Sequence, residues 1–226
     1  MLAGMLAVTE DCEALRNGWL AQPANALSSL AFVGIGLWLL ARARHAPARA
    51  AEIRLFGVAA LLTGLGSVAY HGPNPAWGQW AHDVPIASGL LLAAVVNVAT
   101  FTGRRRRELL AWVVGTAAIA VVVAVSPDAQ RAVFAVTGAA FGLTELVAVR
   151  RHLRPWPGDP DFGLWLVVIG AFVVGVGAFF LGRIDALCDP DSPFQLHALW
   201  HVLQALAIGL YVHVAVERPH PARLVR

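Results

Sequence analysis

Two histidines four residues apart, His197 and His201, open the segment "FQLHALWHVLQALAIGLYVHVAV", which is otherwise apolar. On a helix, residues at i and i+4 share a face, so both rings are offered to one point. A second short pattern, "SVAYH", sets Ser67 and His71 at the same spacing, and "HDVPI" follows with Asp83. Three imidazoles, a carboxylate and a hydroxyl suit zinc chemistry. A catalytic zinc takes three protein ligands and keeps one position for water. His71, His197 and His201 are the candidate zinc ligands. Asp83 is the candidate group that holds or deprotonates the activated water, and Ser67 the candidate donor to an oxyanion. A lone histidine in a membrane is usually a helix–helix hydrogen bond. Convergence of several ionisable groups at one depth points instead to a functional site.

The elements that must position these residues are membrane spans. The chain has 226 residues, 58% hydrophobic and only 14% charged, against about 25% charged in a soluble domain. Apolar runs near the roughly 20 residues needed to cross a bilayer recur along it. The short alternating segments of a membrane β-barrel are absent. The predicted fold is an all-α, polytopic bundle of seven transmembrane helices, one domain over residues 1–226. The spans are expected at about 23–41, 54–71, 83–102, 108–125, 132–149, 163–182 and 195–216. The start, "MLAGMLAVTEDCEALRNGW", has neither a basic region nor a long apolar core and reads as mature protein. Thr63, Gly64 and Gly66 are small enough to admit a close helix neighbour.

All 17 basic residues are arginine. With abundant alanine and valine, this suggests a GC-rich, bacterial coding bias. Fourteen arginines fall in the first, third and fifth loops and the tail, and 3 on the other side. That split predicts an outside N-terminus and a cytoplasmic C-terminus. The "RRRR" run at 104–107 is then a juxtamembrane anchor, and no nucleic-acid partner is expected. The three polar patterns all fall near the outer face. His82 is read as interfacial, on another face from Asp83. His213, about 18 Å along the helix from His201 at 1.5 Å per residue, is excluded from the site. Glu145 is expected to reach Arg150 or Arg151, and Trp77, Trp80 and Trp200 to form an outer aromatic belt, with rimming of the site as a second role.

Cys12 and Cys188 both lie outside, where an even pair is most simply a disulfide; free thiols or metal ligands are the alternative. Glu10, Asp11 and Glu13, near Asp185, Asp189 and Asp191, form either a solvated rim or a site for a hard cation such as calcium.

At these residues the sequence resembles the alkaline ceramidases, part of a superfamily of seven-span membrane hydrolases and receptors. The resemblance runs over nearly the whole chain, strongest in "SVAYHGPNPAWGQWAHDVPI", "RIDALCDPDSPFQLHALWH" and "NALSS". It implies zinc on His71, His197 and His201, with Ser67 and Asp83 in catalytic roles. It also implies an outside N-terminus and hydrolysis of the amide joining a sphingoid base to a fatty acid. The eukaryotic members bind calcium through acidic residues near the first helix; Glu10 and Glu13 match that segment, whereas Gln22 stands where the family has a glutamate. The expected partner is a membrane lipid substrate, with no obligate protein partner, in a bacterial inner membrane with the site toward the periplasm. A progestin- or adiponectin-type receptor, which has the opposite orientation, and a non-catalytic zinc protein are the rival readings.

Overall fold

The computed structural model describes residues 11–184 and 187–218. Seven helical segments are long and apolar enough to cross a membrane, which makes this an integral, multi-pass membrane protein. The first is interrupted: α1 (Pro23–Ser28) starts on a proline, whose missing N–H costs nothing in a first turn, and α2 (Leu30–Arg42) resumes after Ser29. Then come α3 (Ala50–His71), α4 (Gly78–Thr102), α5 (Arg105–Val125), α6 (Gln130–Arg150), α7 (Phe162–Leu181) and α8 (Leu196–Tyr211). A π-helical turn, Val212–Glu217, extends the last span.

Helices α3, α4 and α8 have about half of their span residues buried, whereas α5 and α6 are mostly exposed. The exposed leucines and valines of α5 and α6 suit hydrocarbon, where only the backbone demands internal hydrogen bonds. α3 packs between α2 and α4, α7 lies along α8, and α4 also meets α5 and α6. Close packing needs small residues where backbones cross. A Cβ on Gly36 would lie 2.8 Å from the Gly57 carbonyl oxygen, and one on Gly66 only 1.9 Å from that of Ala81. Pro85 has no N–H for Ala81, four residues earlier, so α4 turns a carbonyl released by its own proline against Gly66.

The two ends of the bundle differ. Leu39, Ile53, Phe56, Leu92, Val96, Trp165 and Tyr211 build an apolar core toward the arginine-rich end. A buried polar knot completes it. Arg154 Nη2 donates to Asn97 Oδ1 (2.6 Å) and Glu145 Oε2 (2.8 Å), and Tyr211 donates to the same two acceptors. Glu145 thus pairs with Arg154 rather than with Arg150 or Arg151, because the α6–α7 loop folds that guanidinium inward, where it is only 5% exposed. Arg42 closes α2 on Glu217, which also accepts from His213 (2.9 Å).

One boundary matters at the other end. α4 begins at Gly78, five residues before the expected start at 83, so His82 and Asp83 lie in its second turn. Both are buried there.

Candidate metal centre

Four imidazoles meet where the C-terminus of α3 and the N-termini of α4 and α8 come together. His71, His82, His197 and His201 each present a ligand atom within 4.8 Å of the others, and all four are buried. The His71 ring lies 5.0 Å from His197, 5.3 Å from His201 and 5.4 Å from His82, centre to centre. The three expected histidines are therefore together. His82 joins them, contrary to its interfacial reading, because the longer α4 carries it below the surface. Trp200 lies at the rim of the site, the second part of its reading, rather than in an exposed belt. It is buried beside His197 (5.0 Å), His201 (4.9 Å) and Phe179 (5.2 Å), while Trp77 and Trp80 are exposed.

Each ring has one nitrogen engaged. His71 Nδ1 meets Gln22 Oε1 at 2.6 Å, His82 Nδ1 meets Asp83 Oδ1 at 2.6 Å, and His197 Nδ1 meets Asp11 Oδ1 at 3.0 Å. His201 Nδ1 lies 2.9 Å from Ser28 Oγ, which itself donates to the Asn25 carbonyl and so is left to accept. An amide oxygen, two carboxylates and an occupied hydroxyl are all acceptors, which assigns the ring proton to Nδ1 in every case. Every Nε2 then carries a lone pair. All four Nε2 atoms are buried without a hydrogen-bond partner. Four orphaned lone pairs in one buried place are a cost to the apo fold and what a metal cation requires. Nδ1 held by a carboxylate or amide is the usual outer support of a histidine ligand. The residues present fit a metal ion.

The supporting acceptors come from a segment that composition alone does not reveal. Cys12 and Cys188 are disulfide-bonded, as expected, with Cα atoms 5.4 Å apart. The bridge pins the chain before α1 to the loop before α8. Asp11 reaches His197 and also Arg183 (3.2 Å). Burial by itself raises the Asp11 pKa, but His197, His71 and Arg183 outweigh it and hold the carboxyl below the usual range. Glu13 accepts from the backbone N–H groups of Ala24 (2.8 Å) and Asn25 (2.9 Å), fixing the start of α1. Gln22 donates to the Glu13 carbonyl and accepts from His71. Of the acidic residues read as either a solvated rim or a calcium site, Asp11 and Glu13 spend oxygens on protein donors, and Glu10 lies outside the described residues.

Two further polar atoms await partners. Ser67 Oγ, one turn before His71, and Asp83 Oδ2 are both buried and unpaired. The Asn25 side-chain amide, which sequence reasoning did not single out, is in the same state. Such groups are rare in native folds and mark places where a water or ligand binds.

A family model described as Ceramidase matches residues 17–218. The chain belongs to that family, and is thereby a ceramidase-type hydrolase with a lipid as its class of substrate. A search of curated proteins returns no match.

Proposed function

We propose that this protein is a zinc-dependent intramembrane hydrolase. It cleaves the amide of a ceramide-like lipid to a free fatty acid and a sphingoid-type amine. The observation that carries the reading is the set of unpaired Nε2 atoms buried beside two other unpaired polar groups, Ser67 Oγ and Asp83 Oδ2. His71, His197 and His201 would hold the zinc. When bound, zinc supplies a Lewis acid and makes water acidic enough to give up a proton near neutral pH.

Asp83 Oδ2 accepts that proton and passes it to the amine nitrogen as the C–N bond breaks. The Ser67 hydroxyl donates to the carbonyl oxygen as negative charge gathers there. Trp200, packed on His197 and His201, holds both rings in place and excludes water from their flank. Calcium is not part of the proposal, since the described carboxylates of that segment already serve protein donors. The site end faces the exoplasmic side, a reading supported by the arginine asymmetry and by a disulfide suited to an oxidising compartment.

The test uses purified protein in lipid nanodiscs with N-acyl sphingoid amides, following release of both fatty acid and amine. Turnover is expected from the wild type. Asp83→Asn should abolish it while leaving zinc bound. A zinc-loaded wild type that cleaves no lipid amide, or an Asp83→Asn variant with full turnover, contradicts the assignment.

A further inference from the structure

We propose that Asn25 selects for an amide at this site, its side-chain oxygen accepting the N–H of the lipid amide. The inference rests on the lipid-amide reading above and adds a specificity residue to it. Asn25 lies in α1 and is fully buried, at 0% exposure. Neither Oδ1 nor Nδ2 of its side chain has a hydrogen-bond partner. Its backbone, by contrast, is pinned. The N–H donates to Glu13 (2.9 Å), and the carbonyl accepts from the hydroxyls of Ser28 (3.0 Å) and Ser29 (2.6 Å).

The neighbours of Asn25 fix which way its face of the helix looks. Gln22, three residues earlier, meets His71 Nδ1. Ser28 and Ser29, three and four residues later, lie 2.9 Å and 3.4 Å from His201 Nδ1. Residues three and four apart share a helix face. Asn25 therefore stands between the contact of α1 with one proposed ligand and its contact with another. Buried polar side chains without partners are rare in native folds, and this one keeps a donor and an acceptor unused beside the site.

A secondary amide brings two polar ends into such a place. Its carbonyl oxygen is met by the Ser67 hydroxyl in the reading above. Its N–H is a donor, and burying a donor without an acceptor is costly. The imidazole lone pairs are turned to the metal, and Asp83 Oδ2 is reserved for the proton. Among the unpaired buried atoms at this end, Asn25 Oδ1 is the acceptor that remains. Since neither end of the Asn25 amide is engaged, it can turn Oδ1 to a ligand without breaking a bond. Nδ2 is then available to an oxygen of the same lipid, such as the hydroxyl beside the nitrogen of a sphingoid base. An ester or an N-alkylated amide has no N–H and leaves Oδ1 unpaired, so the site penalises it.

The test reads binding rather than turnover. It uses two lipid ureas that resist hydrolysis, one with an N–H on the sphingoid side and one methylated at that nitrogen. Each is titrated against the full-length protein in nanodiscs with zinc present. The wild type should favour the N–H form at least about tenfold. Asn25→Leu should bind both forms alike with its zinc content unchanged, and Asn25→Asp, which keeps an acceptor, should keep the preference. An asparagine that serves only the fold, or a fixed water, would weaken both ligands together and leave their ratio intact. Equal binding of the two by the wild type, or no binding of either, overturns the proposal without recourse to a variant. So does a preference that survives Asn25→Leu. A wild type that shows the preference yet cleaves no lipid amide overturns the hydrolase reading and leaves recognition by Asn25 standing.

Discussion

At the scale of single residues, the centre is organised by what each imidazole does with its second nitrogen. Gln22 and Asp11 touch no proposed substrate, yet they set the tautomers of His71 and His197. Replacing either acceptor with an apolar side chain, as in Gln22→Leu or Asp11→Leu, should lower metal affinity about 10- to 100-fold. Chelator competition reads this directly, and unchanged affinity would mean that the rings are held by packing alone. Ser67→Ala should act differently. It should leave affinity intact and cut turnover by about 10²- to 10³-fold, the usual effect of removing one oxyanion donor. His71, His197 and His201 are legible in the sequence because i,i+4 spacing fixes a shared face whatever the tertiary fold. Asp11 and Gln22 are not legible, since their contacts join positions up to 186 residues apart, Asp11 to His197, through a loop whose path no periodicity encodes. The one partial signal was the cysteine pair, which places Asp11 beside the loop that precedes α8.

At the scale of elements, the decisive contact is the crossing of α3 and α4. Gly66 admits the Ala81 carbonyl that Pro85 leaves without a helical donor, and this sits one residue from both Ser67 and His82. Gly66→Ala puts a methyl carbon where backbone already lies. It should force the two helices apart, destabilise the protein by at least about 1–3 kcal/mol and separate His82 from His71. Thermal melting together with metal content checks both consequences. A Gly66→Ala protein with wild-type stability and full metal content would show that the crossing does not set the site. The glycine's role in close approach was readable from the sequence. The start of α4 was not. "GPNPAWGQWA" carries turn residues that argue for a loop, but only Gly72 to Trp77 fall outside the helices and "GQWAHD" continues α4. That shift of five residues is why His82 reads as interfacial in the sequence yet is buried in the fold.

At the scale of the whole molecule, polar groups are sorted to two ends around an apolar middle. The arginine-rich end is closed by satisfied knots, Arg154 with Asn97, Glu145 and Tyr211, and Arg42 with Glu217. The other end holds most of the polar atoms that are buried and unsatisfied among the described residues, His152 Nδ1 in the α6–α7 loop being the exception. The satisfied knots favour stability, whereas the cluster at the other end costs the fold free energy that the proposed metal would offset. Seven spans and the arginine asymmetry were plain in the composition because the bilayer constrains both. Which buried polar groups are satisfied was not, since it depends on side-chain geometry. The proposed orientation predicts that reporter fusions put the N-terminus and the disulfide outside and the C-terminus in the cytoplasm; the reverse result would remove the exoplasmic site. The measurement that bears most directly on the central claim is lipid-amide hydrolysis titrated against bound zinc in metal-stripped protein. Turnover should vanish with the metal and return in proportion to zinc, reaching its maximum near one ion per chain. Undiminished turnover in the metal-free protein, or none at full zinc occupancy, would contradict the account.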